Sequence, residues 1–445
     1  MISKATEKPD GIFNQIELGH GIVLHYLPET KWKTLSIDVF FKIPAMADKL
    51  TALSLVPRLA TRGTQRLPSV QDISRFLEDL YGAGMSADAR KVGPIQVIRF
   101  GIDLPSPSHL GVDMSGSRNS LISRAVSFVW DLATRPNLRD GAYPQEVFEV
   151  EREEHRRAIT GLINNRPYYA TLSLLHEISQ GDPRGLPAWG TLADLDRVNP
   201  RDTWDIWKQM LAQCPISIYV IGDGAEEVAG FLSGCQLWFP CDRSEQLLDI
   251  SEQLDPPPAP ENVLRVEEFL PGEQTILCMA FETGIREGDP QLPAMLFCDG
   301  ILGGFPHSKL FSVVREQHGL AYFSDTIPNT WRGLIIATSG ISDTDRRAVE
   351  QLIVSQVEAM SKGDISDEEM ESTRMGLVRR LMTEDDSQRA LVMRSLSHEI
   401  LGGMATPQTL ADAILKVTKE EVIKVASQMK LKAVYTLRAK EDAIG

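Results

Sequence analysis

The sequence predicts an α+β protein made of two homologous halves, and three observations carry that prediction. Stretches of sequence recur about half a chain apart: "SLLHEI" at 173–178 returns as "SLSHEI" at 395–400, and "TLAD" at 191–194 returns at 409–412. Each second repeat leads into an apolar, strand-like run, "ISIYVIG" at 216–222 and "AVYTLRA" at 433–439. Between the copies, Pro256, Pro257, Pro258 and Pro260 cannot continue a helix or a central strand, so this stretch reads as a semi-rigid linker. The expected division is 1–235, a linker at 236–264, and 265–445.

In the first half, "LSIDVFFKI" (35–43) and "IQVIRFGIDL" (95–104) have the composition of strands. Between them, "LTALSLVPRLATRGT" (50–64) has helical apolar spacing but contains Pro57. "SVQDISRFLEDLYG" (69–82) is a helix with Ser69 as its N-cap. The small, polar residues of 106–120 suggest a surface insertion. "VEREEHRRAITGL" (150–162) is a charged helix whose Glu153, Glu154 and His155 read as a solvated face. In the second half, strands are expected at 275–284 and 333–341. A helix is expected at 366–382, opened by a Ser366–Glu369 capping box. The turn "LGGFP" (302–306) follows an apolar helix run and reads as a helix C-cap with φ > 0. Hairpin-linked strands beside helices imply mixed or antiparallel sheets with helices packed on one face.

Composition removes several function classes. The net charge of −15 and a pI near 5.1 argue against a nucleic-acid surface and against an anionic membrane. Five scattered cysteines without C-x-x-C spacing suggest reduced thiols and a cytoplasmic setting. The N-terminal stretch has no signal-like apolar core, and no apolar run is long enough for a membrane span. No P-loop, G-x-S-x-G or G-x-G-x-x-G occurs. The His-Glu pairs 176–177 and 398–399 stand at matched positions of the repeat, which points to a structural role.

The stretch "GILGGFPHSKLFSVVREQHGLAYFSD" (300–325) and the two-half plan resemble the pitrilysin/insulinase (M16) zinc peptidases. The closer likeness is to their short branch, which includes the mitochondrial processing peptidase subunits and paired bacterial homologues. The resemblance covers nearly the whole chain and implies two α/β sandwich halves of that fold. Members that cleave carry H-x-x-E-H on a helix, with a third ligand Glu on a later helix. Two His at i and i+4 hold zinc, and the Glu takes a proton from the metal-bound water. Counting back from "RGT" places that motif on "SLVPR", so the first His corresponds to Ser54, the Glu to Pro57 and the second His to Arg58. Matching Glu151-Arg152 to the family's "E-R" puts the third ligand on Ala158. None of these four residues can do the original job. With the base no longer required, the helix can tolerate Pro57 at the cost of a kink.

What remains is a pair seven residues apart, Arg315 and Tyr322. In active relatives an Arg and a Tyr at this spacing reach the zinc site from the opposite half and stabilise the oxyanion. In two-chain forms the pair and the zinc motif can sit on different subunits. Read without the resemblance, Arg315 is a helix-surface ion pair and Tyr322 packs a strand start. By resemblance, Gly303, Gly304 and Phe305 form a turn that contacts substrate peptide.

The expectation is therefore a zinc-less, bacterial, cytoplasmic subunit of a heterodimeric M16-type peptidase, itself without a cofactor. Zinc would be held only by an H-x-x-E-H partner. The chain would bind peptide or unfolded polypeptide and lend Arg315 and Tyr322 to the partner's site. The alternative is a non-proteolytic scaffold or a peptide-binding homodimer of the same fold.

Overall fold

A computed structural model describes residues 11–110, 117–404 and 406–440. The first half runs β1 (Asn14–Gly19), β2 (Ile22–Leu27), β3 (Thr34–Pro44), α1 (Ala47–Ala60), α2 (Val70–Asp79), β4 (Gly84–Val92) and β5 (Ile95–Pro105). It continues with α3 (Ser117–Thr134), α4 (Gln145–Gly161), α5 (Arg166–Ile178), α6 (Leu192–Leu195), α7 (Pro200–Gln213), β6 (Ile216–Ile221) and α8 (Ala225–Gly234). The second half runs β7 (Leu264–Pro271), β8 (Thr275–Glu282), α9 (Leu292–Asp299), β9 (Ala321–Asn329) and β10 (Leu334–Ile341). It ends with α10 (Arg346–Ser361), α11 (Asp367–Asp385), α12 (Gln388–Leu401), α13 (Pro407–Ile414), α14 (Lys419–Gln428) and β11 (Lys430–Lys440).

The two sheets share one plan. Sheet 1 is ordered β1-β2-β6-β3-β5-β4 and sheet 2 is ordered β7-β11-β8-β10-β9. Leaving out β1, the pairings match strand for strand. β2–β6 and β7–β11 are parallel, and every later pair is antiparallel. The strands lie where alternation predicts them. In β3, Leu35, Ile37, Val39, Phe41 and Ile43 enter the core shared with α1, α3, α7 and α8, while Ser36, Asp38, Phe40 and Lys42 turn to the other face.

Local signals hold where they have a mechanism. Ser69 accepts from the Asp72 amide at 3.2 Å. Ser366 and Glu369 close a complete capping box. Of the suggested insertion, 111–116 lie outside the described residues. Residues 117–120 open α3 and do not continue a loop.

The compact units are not continuous stretches. Unit 1 holds residues up to Thr160, Leu186–Asp255 and Gln388–Ile400; unit 2 holds Gly161–Gly185, Pro256–Ser387 and the chain from Leu401 on. Each half therefore gives one helix to the other's sheet. Helix α5 covers sheet 2, where Ala170, Leu174 and Ile178 pack on Ile276, Cys278, Ala280 and Ile336. Helix α12 covers sheet 1. Helices were expected on one face of each sheet; these two lie on the face opposite the multi-helix core. The exchange is anchored by the same position in both copies. At the start of α5, Arg166 donates to the carbonyls of Gln274 (3.1 Å), Pro271 (2.7 Å), Leu270 and Leu437 (both 3.4 Å). At the start of α12, Gln388 donates to the carbonyls of Thr34 (2.8 Å) and Ile221 (3.2 Å).

Candidate functional site

Helix α1 carries Ser54, Pro57 and Arg58, and runs unbroken through the buried Pro57. Proline there has no N–H for the carbonyl one turn back, which costs the helix a rung but does not end it. Ser54 donates to the Thr51 carbonyl at 2.7 Å. Its Oγ also lies 3.1 Å from His155 Nε2, and that nitrogen is 2.9 Å from the Trp189 carbonyl. A carbonyl can only accept, so Nε2 carries the proton. Burial pushes the His155 imidazole below its ordinary value; the Trp189 carbonyl opposes this and Arg58 adds to it. His155 is therefore a neutral, sealed side chain, only 4% exposed. This corrects the expectation of a solvated face: Glu153 and Glu154 are exposed, whereas Glu151 and His155, one turn apart, face α1.

One turn along, the Glu151 carboxylate is buried between Arg62, which bonds it directly, and Arg58 at 3.7 Å. Ala158 continues the Glu151–His155 face by another turn and is exposed. The segment 188–191 is stitched across the same helix. Gln96 donates to Leu50 and Ala188 carbonyls, and the Thr191 amide donates to Thr51 Oγ1. At Gly190 (φ +79°) a Cβ would fall 1.9 Å from that hydroxyl, so only glycine fits.

These residues do not fit zinc. Ser54 spends its proton on a backbone carbonyl, Pro57 offers no base, Arg58 brings a fixed positive charge and Ala158 has no donor. Among the described residues no group of three His, Cys, Asp or Glu is placed to hold a metal. The signal for His155 was present in the sequence as two i,i+4 pairs, Ser54/Arg58 and Glu151/His155. The flanking charges at 153, 154, 156 and 157 masked it.

In unit 2, Arg315 lies in a π-helical segment, Phe311–Gln317, and Tyr322 opens β9, the edge strand of sheet 2. Both are exposed, Tyr322 at 62%. Arg315 lies over the Phe311 ring at 4.6 Å and makes no ion pair among the described residues. The neighbouring turn is also π-helical, Gly300–Gly304. Gly303 and Gly304 do not adopt positive φ, which corrects the C-cap reading. They are glycine because other groups come too close. A Cβ on Gly303 would meet Thr326 and Asp325 of β9 at 2.6–2.9 Å, and one on Gly304 would meet the Asp299 carboxylate at 2.9 Å. Phe305 lies against Gly300 and Gly376, with Arg380 over its ring at 4.8 Å and His307 stacked on it at 5.3 Å.

The family model described as Peptidase M16 inactive domain matches residues 243–377. A Bacillus subtilis (strain 168) protein named Probable inactive metalloprotease YmfF is 25% identical over 433 residues, spanning 97% of this chain and 99% of that protein. The crystal structure of a conserved protein from Enterococcus faecalis V583 matches with a TM-score of 0.87 at 27% identity, over 97% of this chain and 100% of that one. A Pseudomonas fluorescens structure described as a peptidase M16 inactive domain matches with a TM-score of 0.75 at 15% identity, over 96% and 98% of the two chains. The two-sheet fold described above is shared with these structures. Across residues 243–377 the chain matches the peptidase M16 inactive domain, and over nearly its whole length it is similar to a probable inactive metalloprotease and shares the fold of M16-like structures.

Proposed function

We propose that this chain is the zinc-less subunit of a two-chain M16 peptidase. It binds an extended peptide or unfolded polypeptide at Gly303, Gly304 and Phe305, and supplies Arg315 and Tyr322 to a partner bearing H-x-x-E-H. The observation that carries this reading is a contrast. The positions read as the zinc motif are closed by Ser54–His155–Trp189 and Arg58–Glu151–Arg62, whereas the Arg315 and Tyr322 side chains stand exposed with no hydrogen bond or ion pair among the described residues. An exposed cation and phenol are donors that can be aimed at developing negative charge. The proposed setting is the cytoplasm of a bacterium. Five cysteines without a disulfide suit a reducing compartment, and the relatives reported above come from bacteria.

The test begins with the native complex, purified on a tag in its own cell and weighed by native mass spectrometry. A one-to-one complex with an H-x-x-E-H homologue is expected. In that pair, Arg315→Ala should slow cleavage by about 10²-fold, with Tyr322→Phe somewhat less, and neither should dissociate the complex. Unchanged turnover in both variants removes the active-site role. A homodimer without such a partner leaves a scaffold or peptide-binding protein.

A further inference from the structure

Asp299, the last residue of α9, points into the protein beneath the glycine turn. It is only 3% exposed, and its Oδ1 has no hydrogen-bond partner among the described residues. Buried polar atoms are almost always paired, so this one calls for an explanation. Its surroundings are well defined. From β9, the Thr326 hydroxyl donates to the Asp299 backbone carbonyl at 3.1 Å, and the Asp325 carboxylate lies close enough to repel. From α11, Arg380 supplies the facing positive charge, but its guanidinium is engaged elsewhere, over the Phe305 ring at 4.8 Å and on the Gly304 carbonyl at 3.4 Å. Lys309 is committed to Glu369 at 2.9 Å, and His307 to Thr373 at 3.1 Å. The carboxylate rests against Gly304, within a run of π-helix that the regular helix would not adopt unaided.

We propose that Asp299 is a proton-operated catch on the turn Gly303–Phe305. Neutral, it lies closed against Gly304; ionised, it gives its proton to solvent, draws Arg380 off the Phe305 ring and the Gly304 carbonyl, and frees the turn.

Burial pushes the Asp299 carboxyl up to about 6, against the opposing influence of Thr326 and Arg380 and with help from Asp325. A raised carboxyl works in the reverse sense from the usual one. Its contribution to the closed state is complete below the unfolded value near 4 and is lost as pH rises through about 6. The turn is thus closed in mild acid and released toward neutrality. The movement stands on these contacts alone; its consequence for peptide rests on reading residues 303–305 as a peptide contact.

The test is hydrogen–deuterium exchange of the full chain from about pH 5 to about pH 8, corrected for intrinsic rates. In the wild type, protection of amides 300–305 should fall by about tenfold across the transition. Asp299→Asn should hold its protection throughout. Arg380→Gln, which removes the group that holds the turn, should leave amides 300–305 weakly protected at every pH, and Asp325→Asn should move the midpoint down. Parallel profiles for the wild type and Asp299→Asn overturn the catch. If Asp299→Asn does not fold, wild-type profiles in both other variants overturn it equally. Anisotropy of a labelled unstructured peptide over the same range separates the two claims. If the turn opens without any change in affinity, the catch stands and the peptide reading fails.

Discussion

Helices α5 and α12 are one helix in two copies of a unit, yet they hold their sheets by different chemistry. Both begin with a long polar side chain that donates to strand carbonyls, Arg166 in one and Gln388 in the other. Both bring a serine within reach of a buried tyrosine on the corresponding strand, Ser173 to Tyr435 and Ser395 to Tyr219. The surfaces beneath them differ. Under α5 the sheet offers Ile276, Cys278, Ala280, Ile336, Ala433 and Leu437. Sheet 1's corresponding face offers His25, Asp38, Lys42, Arg99 and Ser217, all buried. Glu399 of α12 meets Lys42 directly, accepts from Ser217 at 2.7 and 2.9 Å and from Tyr219 at 3.1 Å, and faces His25 at 3.5 Å. Its repeat partner Glu177 is exposed. In unit 2 the acid has moved to the strand: Glu268 accepts from Tyr169 at 2.9 Å and from Tyr435. A repeat can thus keep its backbone plan and its anchors while one copy is sealed by oil and the other by charge.

The charged copy should break hardest. Glu399→Ala leaves the Lys42 ammonium buried without its counter-charge, which costs about 3–5 kcal/mol. Denaturant unfolding measures this, and Glu177→Ala, at the exposed equivalent, should stay within about 0.5 kcal/mol. The double variant Lys42→Met with Glu399→Leu should recover most of the loss, because an apolar pair leaves no orphan charge. A single-variant loss no greater than that of Glu177→Ala would show that charge is not what holds α12. There is a pH corollary. Burial pushes the Glu399 carboxyl up, but Lys42, His25 and the bonds from Lys42 and Ser217 outweigh it and hold it below its ordinary value. Its contribution is therefore present above the unfolded carboxyl range and lost as pH falls through the folded value, and Glu399→Gln should flatten that acid limb.

The apolar copy should break by cavity. Leu174 is 1% exposed against sheet 2, and Leu174→Ala should cost about 2–5 kcal/mol with no pH dependence of its own. A pH-dependent loss there would mean that the Glu268–tyrosine cluster, and not packing, carries α5.

Much of this fold could be read from sequence because its causes are local. Alternation located β3, β5, β8 and β10, and side-chain caps located the starts of α2 and α11. The repeat "SLLHEI/SLSHEI" marked α5 and α12 as equivalents. It could not say that each lies on the other half's sheet, because periodicity records which face of a helix is apolar and not which sheet will cover it. At the site, the absence of H-x-x-E-H was legible, since it depends only on residue identity. The sealed His155 was not: its neighbours are charged, and its burial depends on α1 and on the Trp189 carbonyl, which are distant in sequence. Gly303 and Gly304 misled for a related reason. Glycine marks either a left-handed residue or a close approach, and only three-dimensional contact with Thr326 and Asp299 decides between them.

The smallest effect is the sharpest test of what the two copies still share. Ser173→Ala and Ser395→Ala each remove one hydroxyl beside a buried tyrosine whose proton burial holds firmly. Each should cost about 0.5–1 kcal/mol, the net worth of an ordinary hydrogen bond. The two losses should agree with each other, since helix position, strand and tyrosine correspond. Equal losses would mean that the anchor is common property and that only the surface around it has changed chemistry. A larger loss at Ser395 would mean that the Glu399 charge is coupled to Tyr219 and that the two parts of the latch act together. A double-mutant cycle of Ser395→Ala with Tyr219→Phe, compared with Ser173→Ala and Tyr435→Phe, would put a number on that coupling.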